Sequence, residues 1–396
     1  MVRGVRGMTL VELMVALTIS LVILAAMSQI FATSRATYTT EEGLARVQEG
    51  GRFSLDMLAY EIRQAGFFGC GNVPPTGTDN SVNNITTPSQ ATYDSTAQAG
   101  IQGFRYTGTT GYNLATDWSP ALSTSGWSFS AGSTSGPASA AGEIRAGSDV
   151  LVVKYATSNG VKLTNTKTTG NLTIRDTDAG AFNVGQALMV TNCNAADFFV
   201  VTGITGAGAT RTIEHAAPLN SSAAFQRTYG EGDELLQFFA HAYYVGNTAR
   251  NDRNGNSIPA LFRRALVGGG AGPSIQAEEL VEGVEAMQVY YGVLRSGGTK
   301  VTDVADRYVP ANQVSTDLTA SPNWTQVTSV RVGLVVSTPE RASRDSENTV
   351  ATGLNVLGLT TDTTAPFLDN YTPPNPSDGR PRRVFSFVVH KRQPPR

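Results

Sequence analysis

The first 36 residues read MVRGVRGMTLVELMVALTISLVILAAMSQIFATSRA, and one side chain in them is out of place. Between Met8 and Ala32 the only charged residue is Glu12. As an α-helix these residues would be about 37 Å long, enough to cross the ~30 Å hydrocarbon core of a bilayer. A carboxylate in hydrocarbon costs on the order of 3 kcal/mol, so its presence indicates that another group compensates for it.

Residues 8–32 are predicted to be a membrane anchor. Arg3 and Arg6 precede them, and the positive-inside rule then predicts a cytoplasmic N-terminus with everything after Arg35 on the other side of the membrane. A cleaved secretory signal has a similar basic start and apolar core. The anchor is favoured because the run is long, because it begins with an acid, and because the best small-residue cleavage site has Leu24 where a small residue is required.

A helical pattern continues through residues 33–68. Apolar residues recur every three or four positions, which predicts an amphipathic helix that packs one face against another element. Gly50–Gly51 is the one weak point and a candidate bend, and Glu61 is placed among the charged residues off the apolar stripe. The stripe consists of Leu44, Val47, Gly51, Leu55, Leu58, Ile62 and Ala65.

The rest of the chain divides into a loop-rich variable region, 71–145, and a β-rich globular head, 146–396. The first is rich in Gly, Ser, Thr and Asn, and its Trp118 and Trp127 are interpreted as loop anchors, with ligand recognition as the alternative. The stretch AEELVEG, from Ala277, is predicted to be a loop or short helix that leads into a strand. Strands are predicted at 149–155, 186–190, 197–204, 237–245, 286–293, 329–337 and 383–391.

These elements predict an α+β fold, in which a long N-terminal α-helix packs on a large, mainly antiparallel β-sheet head. The strands do not alternate with helices of ten or more residues, which argues against a parallel sheet built from strand–helix–strand units. The predicted order is a leader (1–7), an anchor (8–32), an amphipathic helix (33–68), a variable region (71–145) and a head (146–396).

The charge balance excludes one class of partner. The net charge is −2, and the chain lacks the basic character that nucleic-acid binding needs, so no specific nucleic-acid binding is predicted. The C-terminal tail is a local exception, interpreted as a solvated strand whose flanking charges discourage edge pairing, or alternatively as a contact for anionic lipid or polymer. Its basic residues are Arg380, Arg382, Arg383, Lys391, Arg392 and Arg396.

Nothing in the sequence predicts a catalytic residue, a cofactor or a metal centre. GxSxG, HExxH and P-loop motifs are missing from the sequence, and the three histidines lack metal-ligand spacing. NDRNGNSIPALFR begins like a calcium loop but has Arg263 at its twelfth position, although a lone surface calcium site stays open. The residues weighed here are His215, His241, His390, Asp252, Asn254 and Asn256, with Asp176 and Asp178 interpreted as turn residues.

The N-terminal stretch RGMTLVELMVALTISLVIL resembles the class III signal of type IV pilins and pseudopilins. That signal has a short leader ending in glycine, a hydrophobic residue, and a glutamate at the fifth mature position, here Gly7, Met8 and Glu12, with Met8 where Phe is more usual. The resemblance implies that prepilin peptidase cuts between Gly7 and Met8 and methylates the new amine. Glu12 is then expected to pair with the Met8 amine of an adjacent subunit, or of its own.

The body of the chain resembles the PilW-type minor pilins. The motifs follow the order of that family: AGFFGC, NCNAADFFVVTGI, PALFRRAL, LVEGVEAMQVYYGV, DRYVPA, WTQVTSVRVGLVVST and RRVFSFVVHKRQ. Cys70 and Cys193 would form one disulfide in an oxidising compartment or stay two thiols in a reducing one, and the resemblance favours the disulfide.

The function implied by the resemblance is that of a minor pilin. It would be anchored in the inner membrane through residues 8–32 with its head in the periplasm, prime pilus assembly, and sit at or near the pilus tip. Its partners would be prepilin peptidase, other minor pilins and the major pilin, and the machine would support twitching motility and adhesion. The alternatives are a type II secretion pseudopilin, a tip adhesin that binds through loops 71–142, and a membrane-anchored enzyme.

Overall fold

The computed structural model describes most of the helix and head. The described residues are 8–69, 82–84, 100–105, 131–132, 144–145, 148–192, 195–253, 255–268, 274–293, 305, 307–315, 323–340, 354–356, 370–371, 373 and 378–391. Gly7, Cys70, Cys193, Trp118, Trp127 and Asn254 lie outside them, so the predictions for these residues stay predictions.

Within the described residues the fold consists of one α-helix, α1 (Leu10–Gln64), three short 3-10 helices and twenty strands. The 3-10 helices are Asp176–Ala181, Ala311–Gln313 and Trp324–Gln326. The strands are β1 Val82–Asn84, β2 Ile101–Phe104, β3 Ala131–Gly132, β4 Ile144–Arg145, β5 Val150–Ala156, β6 Val161–Lys162, β7 Leu172–Arg175, β8 Ala187–Thr191, β9 Ala196–Val200, β10 Gly203–Thr205, β11 Thr210–Glu214, β12 Glu234–Asn251, β13 Ser257–Val267, β14 Ser274–Glu282, β15 Val284–Val293, β16 Arg307–Pro310, β17 Val327–Ser337, β18 Leu354–Asn355, β19 Asn370–Tyr371 and β20 Arg382–His390.

Helix α1 is a single uninterrupted element of 55 residues, about 82 Å long at 1.5 Å per residue. Gly50–Gly51 does not interrupt it. Gly51 is instead the point of closest approach to the head, because a Cβ atom there would overlap the ring of Phe385 in β20. The glycine serves close packing where the sequence suggested a bend.

The helix ends at Gln64, four residues before the predicted end at 68. The chain turns at Gly66, whose φ is 77°, and its backbone then bonds to β5. Gly66 N donates to Lys154 O at 2.9 Å, and Ala156 N donates to Phe67 O at 2.7 Å. These bonds to a distant strand replace the hydrogen bonds that another helical turn would have made.

Strand β12 is the centre of the head. It pairs with β13 and β8, and also with β4, β5 and β6, in an eleven-stranded sheet of order β1-β9-β8-β12-β13-β14 with further strands beside β12. A four-stranded sheet, β16-β15-β17-β20, and a three-stranded sheet, β10-β11-β7, complete the head with the small β18-β19 pair. The described pairings are antiparallel except β1 with β9 and β3 with β4. The predicted α+β fold is confirmed.

The largest core cluster lies where α1 meets the sheets. Val47, Leu58 and Ile62 of the helix are buried there with residues of β5, β12, β15 and β17. The predicted apolar stripe is therefore the face that packs on the head. Burial of these side chains fixes the C-terminal half of α1 on the head, since each contributes roughly 1.5–3 kcal/mol relative to exposure.

Most strand predictions are confirmed, with two corrections. All seven predicted segments contain strands, β5, β8, β9, β12, β15, β17 and β20. The prediction of a loop or short helix from Ala277 is wrong, because 277–282 lie in β14 and pair with β13. Within the variable region, β2 is fully buried and pairs with β5, so 101–104 belong to the core.

Candidate assembly site and the anchoring of the helix

The start of α1 is closed by a capping box between Thr9 and Glu12. Thr9 is the N-cap, and the backbone N–H of Glu12 donates to its Oγ1 at 3.3 Å. In return the backbone N–H and the hydroxyl of Thr9 both donate to Oε2 of Glu12, each at 3.0 Å. Two backbone donors of the first turn are thus satisfied by side chains. The carboxylate is thereby held at the N-terminal end of the helix.

This arrangement leaves Oε1 of Glu12 available. Among the described residues no donor reaches Oε1, whereas an ionised carboxylate has about four acceptor positions. Met8 directly precedes the N-cap residue Thr9 and is 64% exposed. The geometry leaves one carboxylate oxygen at the helix start able to accept a cation.

The predicted site residues are only partly brought together. Met8 directly precedes the N-cap Thr9, to which Glu12 bonds, while Gly7, Cys70 and Cys193 lie outside the described residues. Thr9 was missed by the sequence analysis. The pattern Thr-x-x-Glu before an apolar run is the signal that identifies a capping box, and it is present in TLVE at 9–12.

The N-terminal half of α1 has the properties of a membrane span. It contains an 18-residue window that is long and apolar enough to cross a bilayer, and none of that window is buried by the described part of the head. Large side chains from Leu10 to Phe31 are 47–75% exposed. A helix that exposes this much apolar surface needs lipid or other helices around it.

The C-terminal half of α1 is attached to the head by a buried polar cluster. Glu61, predicted to lie off the apolar stripe, is buried and accepts a hydrogen bond from the Tyr155 hydroxyl at 3.1 Å. Its other oxygen lies 3.1 Å from Nδ1 of His241 in β12. Burial, together with the Glu61 carboxylate, raises the pKa of Tyr155, so its phenol stays protonated. The cluster links α1 to β5 and β12.

The C-terminal tail is solvated only in part: two of its basic residues are buried, and Arg392 and Arg396 lie outside the described residues. The side chains of Arg380 and Arg382 are 4% and 1% exposed. Arg382 donates to Glu285 at 2.7 Å and to Asp378 at 2.6 Å. Burial alone would lower the pKa of Arg382, but these carboxylates raise it. Arg383, by contrast, is exposed.

Asp252, the first residue of the calcium-like loop, is neutralised from within the chain. Its Oδ1 accepts from the Asn256 backbone N–H at 2.8 Å, and its Oδ2 pairs with Arg380. The guanidinium supplies the positive charge that an ion would bring, and the Asp252 side chain is only 2% exposed. A surface calcium site at this carboxylate is therefore not supported.

The remaining candidate residues are a buried histidine, an exposed histidine and an aspartate in a turn. His215 is buried and stacks on Phe225, with ring centroids 3.9 Å apart. His390 is an exposed residue of β20. Asp176 begins a 3-10 helix and pairs with Arg211, as expected of a turn residue. In the described ranges no three acidic, histidine or cysteine side chains come together as a metal site.

Comparisons with known proteins match both ends of the chain. Residues 242–392 match the family model described as Type IV Pilus-assembly protein W, and residues 2–28 match the prokaryotic N-terminal methylation motif. Among solved structures, the type IV-like pilin TTHA1219 from Thermus thermophilus is 19% identical, over 53% of this chain and 84% of that chain, with a TM-score of 0.20. No curated protein matches the chain.

Proposed function

We propose, from the premise that this chain is a type IV pilin of the PilW type, that it is a minor pilin which primes pilus assembly and stays at or near the pilus tip. Two matches support this assignment: the N-terminal methylation motif, and the PilW match over strands that run from β12 to β20. Anchoring by the apolar half of α1 fits such a pilin.

The observation that carries the proposal is the arrangement of Glu12 at the start of an exposed apolar helix. Cleavage between Gly7 and Met8 by prepilin peptidase would create an ammonium at Met8. In an apolar environment an unpaired charge is costly, whereas a close pair of opposite charges recovers much of that cost. Oε1 of Glu12 is available for the Met8 amine of a neighbouring subunit, which would set the axial register as subunits leave the bilayer.

Placement at the tip is supported by the size of the head. The described strands, from β1 to β20, form sheets of eleven, four, three and two strands. A head of this size is larger than we expect a packed shaft subunit to need. The head would lie in the periplasm before assembly and at the cell surface afterwards. Other minor pilins and the major pilin would be its partners, and twitching and adhesion would be activities of the whole pilus.

The proposal is tested by Glu12→Ala, with Glu49→Ala as the matched control, since Glu49 is an exposed carboxylate on the same helix beyond the membrane segment. We expect Glu12→Ala to be cleaved after Gly7 but to be missing from sheared pili, while Glu49→Ala enters them normally. Mass spectrometry of the N-terminus and immunoblots of pili measure both steps. Normal entry of Glu12→Ala, or a leader that is never removed after Gly7, would refute the proposal.

Deletion of the gene separates the pilus from the secretion apparatus. Surface pili, twitching and type II secretion are scored in parallel in the deletion strain. We expect few or no pili and no twitching, with secretion intact. Loss of secretion with normal pili would assign the chain to the pseudopilins. In pili purified from the undeleted strain, an amount of this chain comparable to that of the major subunit would refute placement at the tip.

A further inference from the structure

A cleft of about 400 Å³ lies beside the C-terminal end of α1, far along the helix from Glu12. The helix forms one wall, the end of β5 and the turn that follows it form a second, and the 3-10 helix Asp176–Ala181 with β12 forms the third. Its volume is within the range of small-ligand sites, which is about 300–1,000 Å³. The proposed assembly function does not use it.

Four of the residues that line this cleft are aromatic: Tyr60, Tyr155, Phe239 and the buried Phe182. Tyr155 and Phe239 are cross-strand partners in β5 and β12, with ring centroids 5.5 Å apart. The hydroxyl of Tyr155 is held by Glu61, so the ring cannot turn away. Tyr60 projects from α1 on the other wall and is 60% exposed. Tyr60, the most exposed of these rings, offers a flat apolar surface to a ligand, and the partly buried Tyr155 and Phe239 extend that surface.

The polar groups around the rings are all uncharged. The lining includes Gln64, Ser158, Asn159 and Gln237, and none of its twelve described residues is acidic or basic. Gln237 donates from Nε2 to the Ala181 carbonyl at 2.6 Å, which fixes its amide and leaves Oε1 as an acceptor. Amides and hydroxyls can both donate and accept, so the cleft suits a ligand whose groups do the same.

We propose that this cleft binds a short neutral saccharide. A pyranose ring has apolar C–H faces that match aromatic rings and hydroxyl edges that match amides and hydroxyls. A phosphate, a nucleic acid or an acidic sugar would need a cationic partner, which the lining does not provide. A purely apolar ligand would leave the amides unpaired, which is unfavourable.

Binding by the isolated protein does not depend on the proposed function, whereas access to the cleft on a pilus depends on a position at or near the tip. Failure of the saccharide proposal is therefore distinguishable from failure of the assembly proposal. The first is measured on purified protein and the second on pili.

The test uses the full-length mature protein in detergent, titrated with cellotetraose, chitotetraose and maltotetraose, and with tetragalacturonate as the acidic probe. Tyr60→Ala is the diagnostic variant. Phe53→Ala is its matched control, because Phe53 lies two turns earlier on α1, is 55% exposed, and does not line the cleft. Asn159→Ala tests the polar wall.

We expect at least one neutral tetrasaccharide to bind, and Tyr60→Ala and Asn159→Ala each to weaken it about tenfold, the effect of roughly 1.4 kcal/mol. Phe53→Ala should bind like the unmodified protein. The proposal is overturned if no neutral probe binds, if tetragalacturonate binds more tightly than all of them, or if Tyr60→Ala and Phe53→Ala have equal effects.

Discussion

Glu12 stands out in the sequence, and the structure shows how its neighbour Thr9 orients its carboxylate. The sequence identifies it as a costly acid in an apolar run. The structure adds Thr9, which holds one carboxylate oxygen and leaves the other available. An anion at a helix N-terminus is also favoured by the helix dipole. The acid is therefore oriented before any partner subunit arrives.

Gly51 gives a prediction at the residue scale. Gly51→Ala should lower the free energy of unfolding by about 1–3 kcal/mol, because the new methyl group overlaps the Phe385 ring. Gly50→Ala is the control, since its Cβ would lie 3.3 Å from one side-chain carbon of Val281, a much milder contact than that of Gly51 with Phe385. There the helical preference of alanine, roughly 1 kcal/mol, should offset the contact. Urea unfolding of the full chain in detergent measures both, and equal effects would contradict close packing at Gly51.

His215 predicts a specific dependence of stability on pH. Burial lowers the pKa of His215 from 6.5 to about 4. Between these values the unfolded chain binds a proton that the folded chain does not, so the free energy of unfolding falls as the pH is lowered through that window. The loss should reach about 3 kcal/mol near pH 4, and above pH 6.5 this residue has no effect.

The measurement for His215 compares urea unfolding at pH 7, 5.5 and 4.5. His215→Phe should reduce the pH dependence, because a phenyl ring keeps the stacking on Phe225 without a titrating nitrogen. His390→Gln, at an exposed position of β20, is the control and should behave like the unmodified chain. If His215→Phe keeps the full pH dependence, another group causes it.

The two halves of helix α1 differ in whether the head buries their apolar side chains. The N-terminal half exposes its apolar side chains, and the C-terminal half buries Val47, Leu58 and Ile62 against the head. The second half is held by core packing and by the Glu61 cluster. A force or displacement applied to the membrane half is therefore transmitted to the head through one continuous helix.

Glu61 gives a prediction at the scale of this element. Glu61→Ala should lower the free energy of unfolding by about 2 kcal/mol or more, because Tyr155 and His241 lose a buried acceptor. Amide hydrogen exchange in the last turns of α1 should also become faster. Glu49→Ala, an exposed acid on the same helix, should change stability by no more than about 0.5 kcal/mol. Unchanged exchange in Glu61→Ala would mean that apolar packing alone holds this end.

At the scale of the whole molecule, long-range pairing joins the parts of the head. Strand β12 bonds to five other strands. The tail Asp378–Arg382 forms ion pairs with Glu285 in β15 and with Asp252 in the turn after β12. The last strand, β20, then packs directly under α1 at Gly51. The position of the helix on the head therefore depends on how residues 378–382 are held.

Arg382 tests this dependence. Arg382→Met should lower the free energy of unfolding by about 3–5 kcal/mol, because it leaves Glu285 buried without its cation and removes one of the two guanidinium groups that pair with Asp378. Arg383→Met removes the same charge from an exposed neighbour and should change stability by no more than about 0.5 kcal/mol. Thermal unfolding of the full chain measures the pair. Similar losses in both variants would show that net charge, and not the buried network, is responsible.

Elements with a local sequence signal could be predicted without the structure. The apolar run, the 3.6-residue stripe from Leu44 to Ala65 and seven of the strands were predicted because each depends on the spacing of neighbouring residues. The family resemblance at Met8 and Glu12 was likewise read from adjacent positions. The end of α1 at Gln64 and the strand at 277–282 could not be predicted in this way, because both depend on backbone bonds to strands that are distant in sequence or paired only in the fold.

Contacts between residues distant in sequence also decide which charged residues are buried. Glu61 pairs with His241, 180 positions away, and Arg380 pairs with Asp252, 128 positions away. A charged residue in sequence indicates exposure, because burial of an unpaired charge is costly. Whether a partner will be present to offset that cost is decided by the fold, and no local spacing carries that information.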